Sequence, residues 1–219
     1  SFIATNPGTS PVVATITVTP TFTNDGVSCA GPSEDFTITV NPTGQVDDPT
    51  DQVVCNTDNT TAVTFTTTNT VGTTTYAWVN DDPSIGLAGS GTGDIASFAA
   101  TNPGTSPVVA TITVTPTFTN DGVSCAGPSE DFTITVNPTG QVDDPTDQVV
   151  CNTDNTSIVT FTTTNTSGTT TYVWSNDDIS IGLAASGTGD IASFGATNPG
   201  TVPVIATITV TPTLSLIHI

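Results

Sequence analysis

Carboxylates are the side chains of this sequence that could carry acid–base chemistry. Asp and Glu number 20, Lys and Arg are absent, and the single histidine is His218, which gives a net charge of −20. This composition excludes Schiff-base lysines and guanidinium clamps, and outside the last six residues it excludes every histidine-dependent nucleophile system. Paired carboxylates remain, as in glycoside hydrolysis, and Asp81-Asp82 and Asp47-Asp48 are the pairs considered. Because adjacent Asp residues in turns are usually solvated, we predict that the chain is not an enzyme.

Calcium binding is a second chemistry open to carboxylates, because Ca²⁺ takes hard oxygen ligands. The candidate ligands are the acidic residues of the segment TGQVDDPTD and of its copy: Asp47, Asp48, Asp51, Asp143, Asp144 and Asp147. A cation there would stiffen a joint between domains and reduce the self-repulsion of the chain. The spacing matches no EF-hand loop, and solvated linker charge is the competing interpretation. We expect no other cofactor.

Four cysteines offer disulfide chemistry: Cys29, Cys55, Cys125 and Cys151. Cys55 falls on the first predicted strand of the complete domain and Cys125 in the loop before its last strand, at the same pole. We therefore predict a Cys55–Cys125 disulfide, with Cys29 and Cys151 separated from their partners by truncation. A Cys29–Cys55 bond would have to span a domain. A disulfide implies an oxidising, extracytoplasmic setting, and reduced structural thiols are the alternative.

The charge balance also limits the partners. Nucleic-acid binding depends on Lys and Arg that neutralise phosphates, so we expect no nucleic-acid partner. An anionic membrane surface would repel the chain, and no apolar run reaches the length of a membrane span, so we expect no membrane insertion.

A long internal repeat organises the whole sequence. The stretch beginning ATNPGT recurs at Ala4, Ala100 and Ala196, and Ser1 matches Ser97 and Ser193, which sets a period of 96 residues. A period of that length indicates a tandem array of whole domains. We assign residues 1–42 to the C-terminal part of a first repeat, 43–138 to a complete second repeat, and 139–213 to a third repeat without its last strand. Such a repeat is expected to be unstable alone or to seek a partner strand.

The two ends suggest a fragment. The chain begins in mid-repeat without an initiator Met, and the third repeat follows the second through Thr213 before changing to LSLIHI. Residues 214–219 resemble the translation of a sequencing adaptor, and we exclude them from the interpretation of fold and function. A natural apolar end is the alternative.

The second repeat predicts an all-β domain. Alternation of apolar residues with Thr predicts strands with one buried face, and turn signals separate them. We predict strands over 52–56, 62–68, 74–80, 84–88, 94–101, 108–119 and 131–137. About seven short strands in a domain of this size indicate antiparallel β-sandwiches of immunoglobulin-like type.

The predicted core follows from the same alternation. The inward residues are Val63, Phe65, Tyr76, Trp78, Val108, Ala110, Ile112, Val114, Phe132, Ile134 and Val136. Trp78 and its copy Trp174 could stack on sugars, but a core tryptophan on the third strand is the simpler interpretation.

The second repeat resembles a known family through the pattern CNTDNTTAVTF, YAWVNDDPSIGLAGSGTGDIASFAATNPG, ATITVTP and FTITVNP. This pattern is similar to the PKD-like, immunoglobulin-like tandem repeats of large secreted proteins of Bacteroidota, which are gliding-associated or adhesin-like and exported by the type IX pathway. The resemblance covers the chain to Thr213. It implies a β-sandwich stalk outside the cell, on the surface or released. The better-known PKD motif, Trp followed by Phe-Gly-Asp-Gly, is replaced by Val79-Asn80-Asp81-Asp82 after Trp78, so no binding residues are carried over.

The functional prediction is a non-catalytic spacer, or stalk, in a secreted or cell-surface bacterial protein, in contact with neighbouring repeats of the same chain. Residues 5–60 equal residues 101–156 without a change, which favours a spacer over an array of varied binding loops. The alternatives are a module that binds glycans or proteins, and an accessory domain of a secreted enzyme.

Overall fold

The structure is a computed structural model that describes residues 1–215. In this range the chain is all-β, built from antiparallel sheets together with two single-turn 3₁₀ helices, at Pro83–Ile85 and Ile179–Ile181. None of the helices in these residues is long and apolar enough to cross a membrane. The strands are β1 Val12–Val18, β2 Thr21–Asn24, β3 Val27–Ala30, β4 Glu34–Val40, β5 Gln52–Cys55, β6 Thr73–Asn80, β7 Ser90–Thr92, β8 Val108–Asn120, β9 Val123–Ala126, β10 Glu130–Asn137, β11 Thr169–Asn176, β12 Ser186–Thr188 and β13 Ile208–Ser215.

The chain divides into two compact units. Among the described residues, the first contains 1–52, 59–98 and 110–134, and the second contains 53–58, 99–109 and 135–215. The junction between the first and second repeats therefore falls inside the first unit, and the junction between the second and third repeats falls inside the second.

The sheet of the second repeat has the strand order β5-β10-β8-β6-β7, and β9 also pairs with β8. β8 and β6 pair from Thr73↔Thr119 to Asn80↔Ile112, which places β8 between strands on both sides. The alternating sequence VVATITVTPTF explains this position, because every second residue can face the core while threonines occupy the opposite face.

The core of this repeat confirms most of the predicted inward residues. Ala110, Ile112, Val114 and Val136 are fully buried, and Phe132 is 2% exposed. Tyr76 and Val108 are half-buried. The sequence pattern missed further core residues: Pro116 and Phe118 on β8, and Ile85, Leu87, Ile95 and Ala100 outside the strands.

Several predicted strands have different structures. The predicted strand 84–88 is wrong, because Asp82 accepts a hydrogen bond from Ser84 N at 3.0 Å and the chain turns into the 3₁₀ helix. Segments 62–68 and 94–101 are joined by the isolated bridge Val63↔Ile95 in place of full strands. The predicted loop after Asn120 is instead a hairpin, with β9 paired to the end of β8.

Packing around Trp78 explains the Gly-rich segment that forms β7. β7 pairs with β6 so that Gly91 lies opposite Trp78. A Cβ atom at Gly91 would come within 2.2 Å of Cζ2 of the indole, so this position has no room for a side chain. The indole Nε1–H donates to Gly93 O at 3.2 Å.

Asparagines fix the NPG turn that recurs in each repeat. Asn102 is 2% exposed, and its Nδ2 donates to Ser106 O at 2.8 Å and to Val136 O at 2.7 Å. Its Oδ1 accepts from Gly104 N at 3.0 Å. The Asn102 side chain therefore provides hydrogen-bond partners for backbone groups, and its own buried amide is hydrogen-bonded as well.

The third repeat forms a smaller sheet with the order β12-β11-β13. Its core cluster is Phe161, Trp174, Leu183 and Ile191. β11 and β13 pair from Thr169↔Ser215 to Asn176↔Ile208, the same register as β6 with β8. Leu214 and Ser215 thus continue β13, and their assignment to the adaptor-like tail is corrected. Residues 216–219, including His218, lie outside the described range.

The two equivalent residues Phe118 and Phe22 provide a matched test of this core. Phe118 is fully buried and Phe22 is 73% exposed. We expect Phe118→Ala to lower the free energy of unfolding of the second repeat by about 3–5 kcal/mol, because it removes a large side chain and leaves a cavity. Phe22→Ala should change it by less than about 0.5 kcal/mol. Urea unfolding followed by tryptophan fluorescence measures both, and equal effects would contradict the assigned core.

Candidate functional site

The predicted disulfide is absent from the structure. All four cysteines are free thiols; Cys29, Cys55 and Cys151 are exposed and Cys125 is half-buried. Cys125 lies on β9 opposite Phe118 of β8, and not in a loop as the sequence suggested. Cys55 ends β5, which pairs with β10. The Cys55–Cys125 bond therefore finds no support, and the oxidising compartment that it implied stays a prediction.

The acidic joint residues make separate structural hydrogen bonds. Asp47 Oδ2 accepts from Thr66 Oγ1 at 2.6 Å, and Asp47 N donates to Thr66 O at 2.9 Å. Asp51 Oδ1 accepts from Thr133 N at 2.6 Å. Between residues 1 and 215, no three His, Cys, Asp or Glu side chains converge in a group that could hold a metal. The calcium hypothesis therefore gains no ligand set from the structure.

The carboxylates of Asp81 and Asp82, the other pair considered for catalysis, accept hydrogen bonds from backbone N–H groups. Asp81 Oδ1 accepts from Thr111 N at 2.7 Å. Asp82 caps the 3₁₀ helix, and hydrogen bonds from the Ser84 side chain and backbone lower the pKa of its carboxyl below the ordinary value of 3.8. A general acid at neutral pH needs a raised pKa, so Asp82 is tuned in the opposite direction.

The tryptophans are core residues. Trp78 and Trp174 are each 7% exposed, beneath Gly91 and Gly187 respectively. Neither indole offers an open face on which a sugar could stack.

The same set of contacts occurs at both junctions between successive repeats. In the first unit, Thr70 N donates to Thr9 O at 2.9 Å, which joins the loop before β6 to the NPG turn of the preceding repeat. A second contact joins Asn41 and Asn120: Asn41 Nδ2 donates to Asn120 O at 3.2 Å, and Asn120 Nδ2 donates to Asn41 Oδ1 at 3.1 Å.

Asn69 is the hub of this first junction. Its Oδ1 accepts from Gln45 N at 2.8 Å, and its Nδ2 donates to Thr43 O at 3.1 Å and to Thr9 O at 3.5 Å. A single amide side chain thus holds the linker and reaches the preceding repeat.

Glycines let the same linker lie close to the second repeat. Gly44 N donates to Cys125 O at 3.1 Å. A Cβ atom at Gly44 would meet Pro116 C at 2.7 Å, and one at Gly127 would overlap Gly44 O at 1.6 Å. Both positions therefore require glycine, for close backbone approach.

The second junction, inside the second unit, repeats the backbone hydrogen bond and the linker contacts of the first. Thr166 N donates to Thr105 O at 3.0 Å, the equivalent of the Thr70–Thr9 bond. Asn165 Oδ1 accepts from Gln141 N at 2.8 Å and its Nδ2 donates to Thr139 O at 3.1 Å. Gln141 Nε2 adds a bond to Gly104 O at 3.4 Å.

Sequence reasoning placed a semi-rigid joint at Thr43–Asp51 but missed Asn69 and the NPG turn as its contacts. The available signal was the recurrence of both loops at the 96-residue period. No protein-family model matches this chain, and no curated protein matches it either.

The 3₁₀ caps generate a pH prediction. Because the pKa values of Asp82 and Asp178 are lowered in the folded state, their stabilising contribution is present above the pKa of the unfolded chain and is lost as pH falls through the folded value. We expect both carboxyls to titrate below 3.8 in a side-chain NMR titration. Ser84→Ala should raise the pKa of Asp82 and leave Asp178 unchanged as the internal control. Equal midpoints for Asp82 in the two proteins would contradict the assigned cap.

Proposed function

We propose that this chain is a structural spacer: a run of tandem PKD-like, immunoglobulin-like β-sandwiches in a secreted or cell-surface bacterial protein, holding other parts of that protein away from the cell. The observation that carries the proposal is the recurrence of one junction at two places. The Thr70–Thr9 and Thr166–Thr105 hydrogen bonds join equivalent atoms at equivalent distances.

The chemistry of the junction supports a spacer. It uses backbone amides, asparagine side chains and close-packed glycines, none of which depends on a ligand or on the ionic strength. A spacer that meets its neighbours through such contacts keeps a defined angle from one repeat to the next, in contrast to a flexible Gly/Ser linker.

The carboxylates also support a non-catalytic role. Those of Asp47, Asp51, Asp81 and Asp82 each accept a hydrogen bond from a hydroxyl or a backbone N–H of the same chain. The pairs considered for acid–base chemistry thus stabilise loops and linkers. An extracellular location follows from the resemblance to secreted repeats and belongs to the same proposal.

Small-angle X-ray scattering on chains with two, four and six copies of residues 43–138 tests this function. A spacer with repeated junctions predicts a maximum dimension that grows in proportion to the number of copies. Copies joined as flexible beads would grow in dimension roughly as the square root of their number.

The test variant carries Asn69→Ala in every copy, and the matched control carries Thr64→Ala in every copy. Loss of the hub should shift the six-copy chain toward the shorter, square-root behaviour, while Thr64→Ala, an exposed residue away from the junction, should leave the scattering unchanged. Square-root growth in the unsubstituted chains would overturn the proposal.

A further inference from the structure

A threonine hydroxyl and a glutamine amide meet at the linker of the second repeat. Thr68 Oγ1 donates a hydrogen bond to Gln45 Oε1. Gln45 is half-buried on the linker that precedes β5, and Thr68 is exposed in the segment that precedes β6. A hydroxyl oxygen beside an amide carbon is a nucleophile beside an acyl group, and these are the two groups from which an ester can form.

The same pair of side chains meets in the third repeat, within the other compact unit. Thr164 Oγ1 donates to Gln141 Oε1 at 2.5 Å, and Gln141 Nε2 donates on its other side to Gly104 O at 3.4 Å. Because a carbonyl bond is about 1.2 Å long, the hydroxyl oxygen lies no more than about 3.7 Å from the amide carbon. This distance is close to the separation of about 3–3.5 Å at which positioned groups react.

Hydrogen bonds to the backbone hold the two reacting segments together in the second repeat. Asn69 Oδ1 accepts from Gln45 N at 2.8 Å. Asp47 N donates to Thr66 O at 2.9 Å, so the linker runs beside the segment that carries Thr68. Because both partners are fixed before any reaction, the entropic cost of bringing them together has already been met by folding.

A carboxylate that could accept a proton lies beside the pair. Asp47 is two residues from Gln45, and its Oδ2 accepts from Thr66 Oγ1 at 2.6 Å, two residues from Thr68. Asp47, Gln45 and Thr68 line one groove with a volume of about 430 Å³. A threonine hydroxyl is a weak nucleophile until a neighbouring base removes its proton, and the groove provides such a base.

The third repeat keeps the positioning contacts and the carboxylate. Asn165 Oδ1 accepts from Gln141 N at 2.8 Å. Asp143 N donates to Thr162 O at 2.9 Å, and Asp143 Oδ2 accepts from Thr162 Oγ1 at 2.6 Å. The whole constellation of nucleophile, acyl group, base and positioning asparagine therefore occurs twice in the chain.

We propose that each of these repeats forms an intramolecular ester, between Thr68 and Gln45 and between Thr164 and Gln141. The hydroxyl oxygen attacks the amide carbon, and its proton passes through water in the groove to the carboxylate of Asp47, or of Asp143 in the third repeat. The carbon–nitrogen bond then breaks, and the nitrogen takes up the proton and leaves as ammonia. One hydroxyl and one carboxamide become one ester and one ammonia, so the step needs no oxidant or reductant.

The reaction occurs once in each repeat, so a slow rate is sufficient. Conversion of ammonia to ammonium at neutral pH draws it forward. The ester closes a ring of residues 45–68 and fastens the linker covalently to the repeat that follows it. The inference goes beyond the spacer function and does not depend on it, because the cross-link forms within a single repeat.

Intact-mass spectrometry of the full 219-residue chain, after incubation at neutral pH, tests the proposal. We expect a mass lower than that of the sequence by two molecules of ammonia. Thr68→Val removes one hydroxyl and should restore the mass of one ammonia, and adding Thr164→Val should restore both. Thr68→Ser keeps a hydroxyl and should retain the full mass loss. Thr68 is exposed, so these variants are expected to fold.

The matched control is Thr64→Val, the same change at an exposed residue of the same segment, which should retain the loss of two ammonia molecules. Asp47→Asn should slow ammonia loss from the second repeat by a factor of about 100 or more, because it removes the base. The ester of the third repeat should form at an unchanged rate in this variant and provides the internal reference.

Proteolytic cleavage before aspartates locates the bond in the unsubstituted chain. We expect peptide 35–46 joined to 58–80 and peptide 131–142 joined to 154–176, each pair separating on alkaline hydrolysis. Ammonia loss at an asparagine joins no peptides, so this product identifies the ester. A chain with the full mass of its sequence, ammonia loss without joined peptides, or a loss that persists in the double variant overturns the proposal.

Discussion

The inner face of β8 is the constraint on which the second repeat depends. The side chains on this face point into the core and are fully buried: Ala110, Ile112, Val114 and Phe118. This is possible because β8 has hydrogen-bonded neighbours on both sides, β6 on one and β10 with β9 on the other. The same sequence in β1, which pairs with β4 alone, leaves Val18 52% exposed. The burial of these side chains therefore depends on the neighbouring strands of the sheet, and not on the sequence of the strand alone.

A chain without Lys or Arg must satisfy its carboxylates in another way. Asp94 Oδ1 accepts from Phe65 N at 3.0 Å and Asp190 Oδ1 accepts from Phe161 N at 2.9 Å, the same bond in two repeats. Backbone N–H groups and threonine hydroxyls thus take the place of cations, and a charged acceptor makes such bonds stronger than neutral ones. Asparagine side chains contribute in the same way at both junctions, where Asn69 and Asn165 hold the linker.

Much of this architecture could be predicted from the sequence, and the exceptions have physical causes. Period-2 alternation located β6, β8 and β10 and most of their inward residues, because the pleat ties sequence parity to burial. It failed at 84–88, where the Asp82 cap outweighs the apolar pattern, and at β9, where Asn120-Asp121-Gly122 is a tight hairpin turn. The recurrence of both junction loops marks them in the sequence, but it does not show that Thr9 and Thr70 contact each other, since they are 61 residues apart and neither carries a distinctive side chain.

Hydrogen exchange at the junction amides tests whether successive repeats are joined by the same backbone hydrogen bonds, from Thr70 N to Thr9 O and from Thr166 N to Thr105 O. We expect both amides to exchange far more slowly than those of an unstructured peptide, with similar protection factors. Exchange of both amides at the rate of an unstructured chain would contradict it, because the repeats would then be linked by the polypeptide alone.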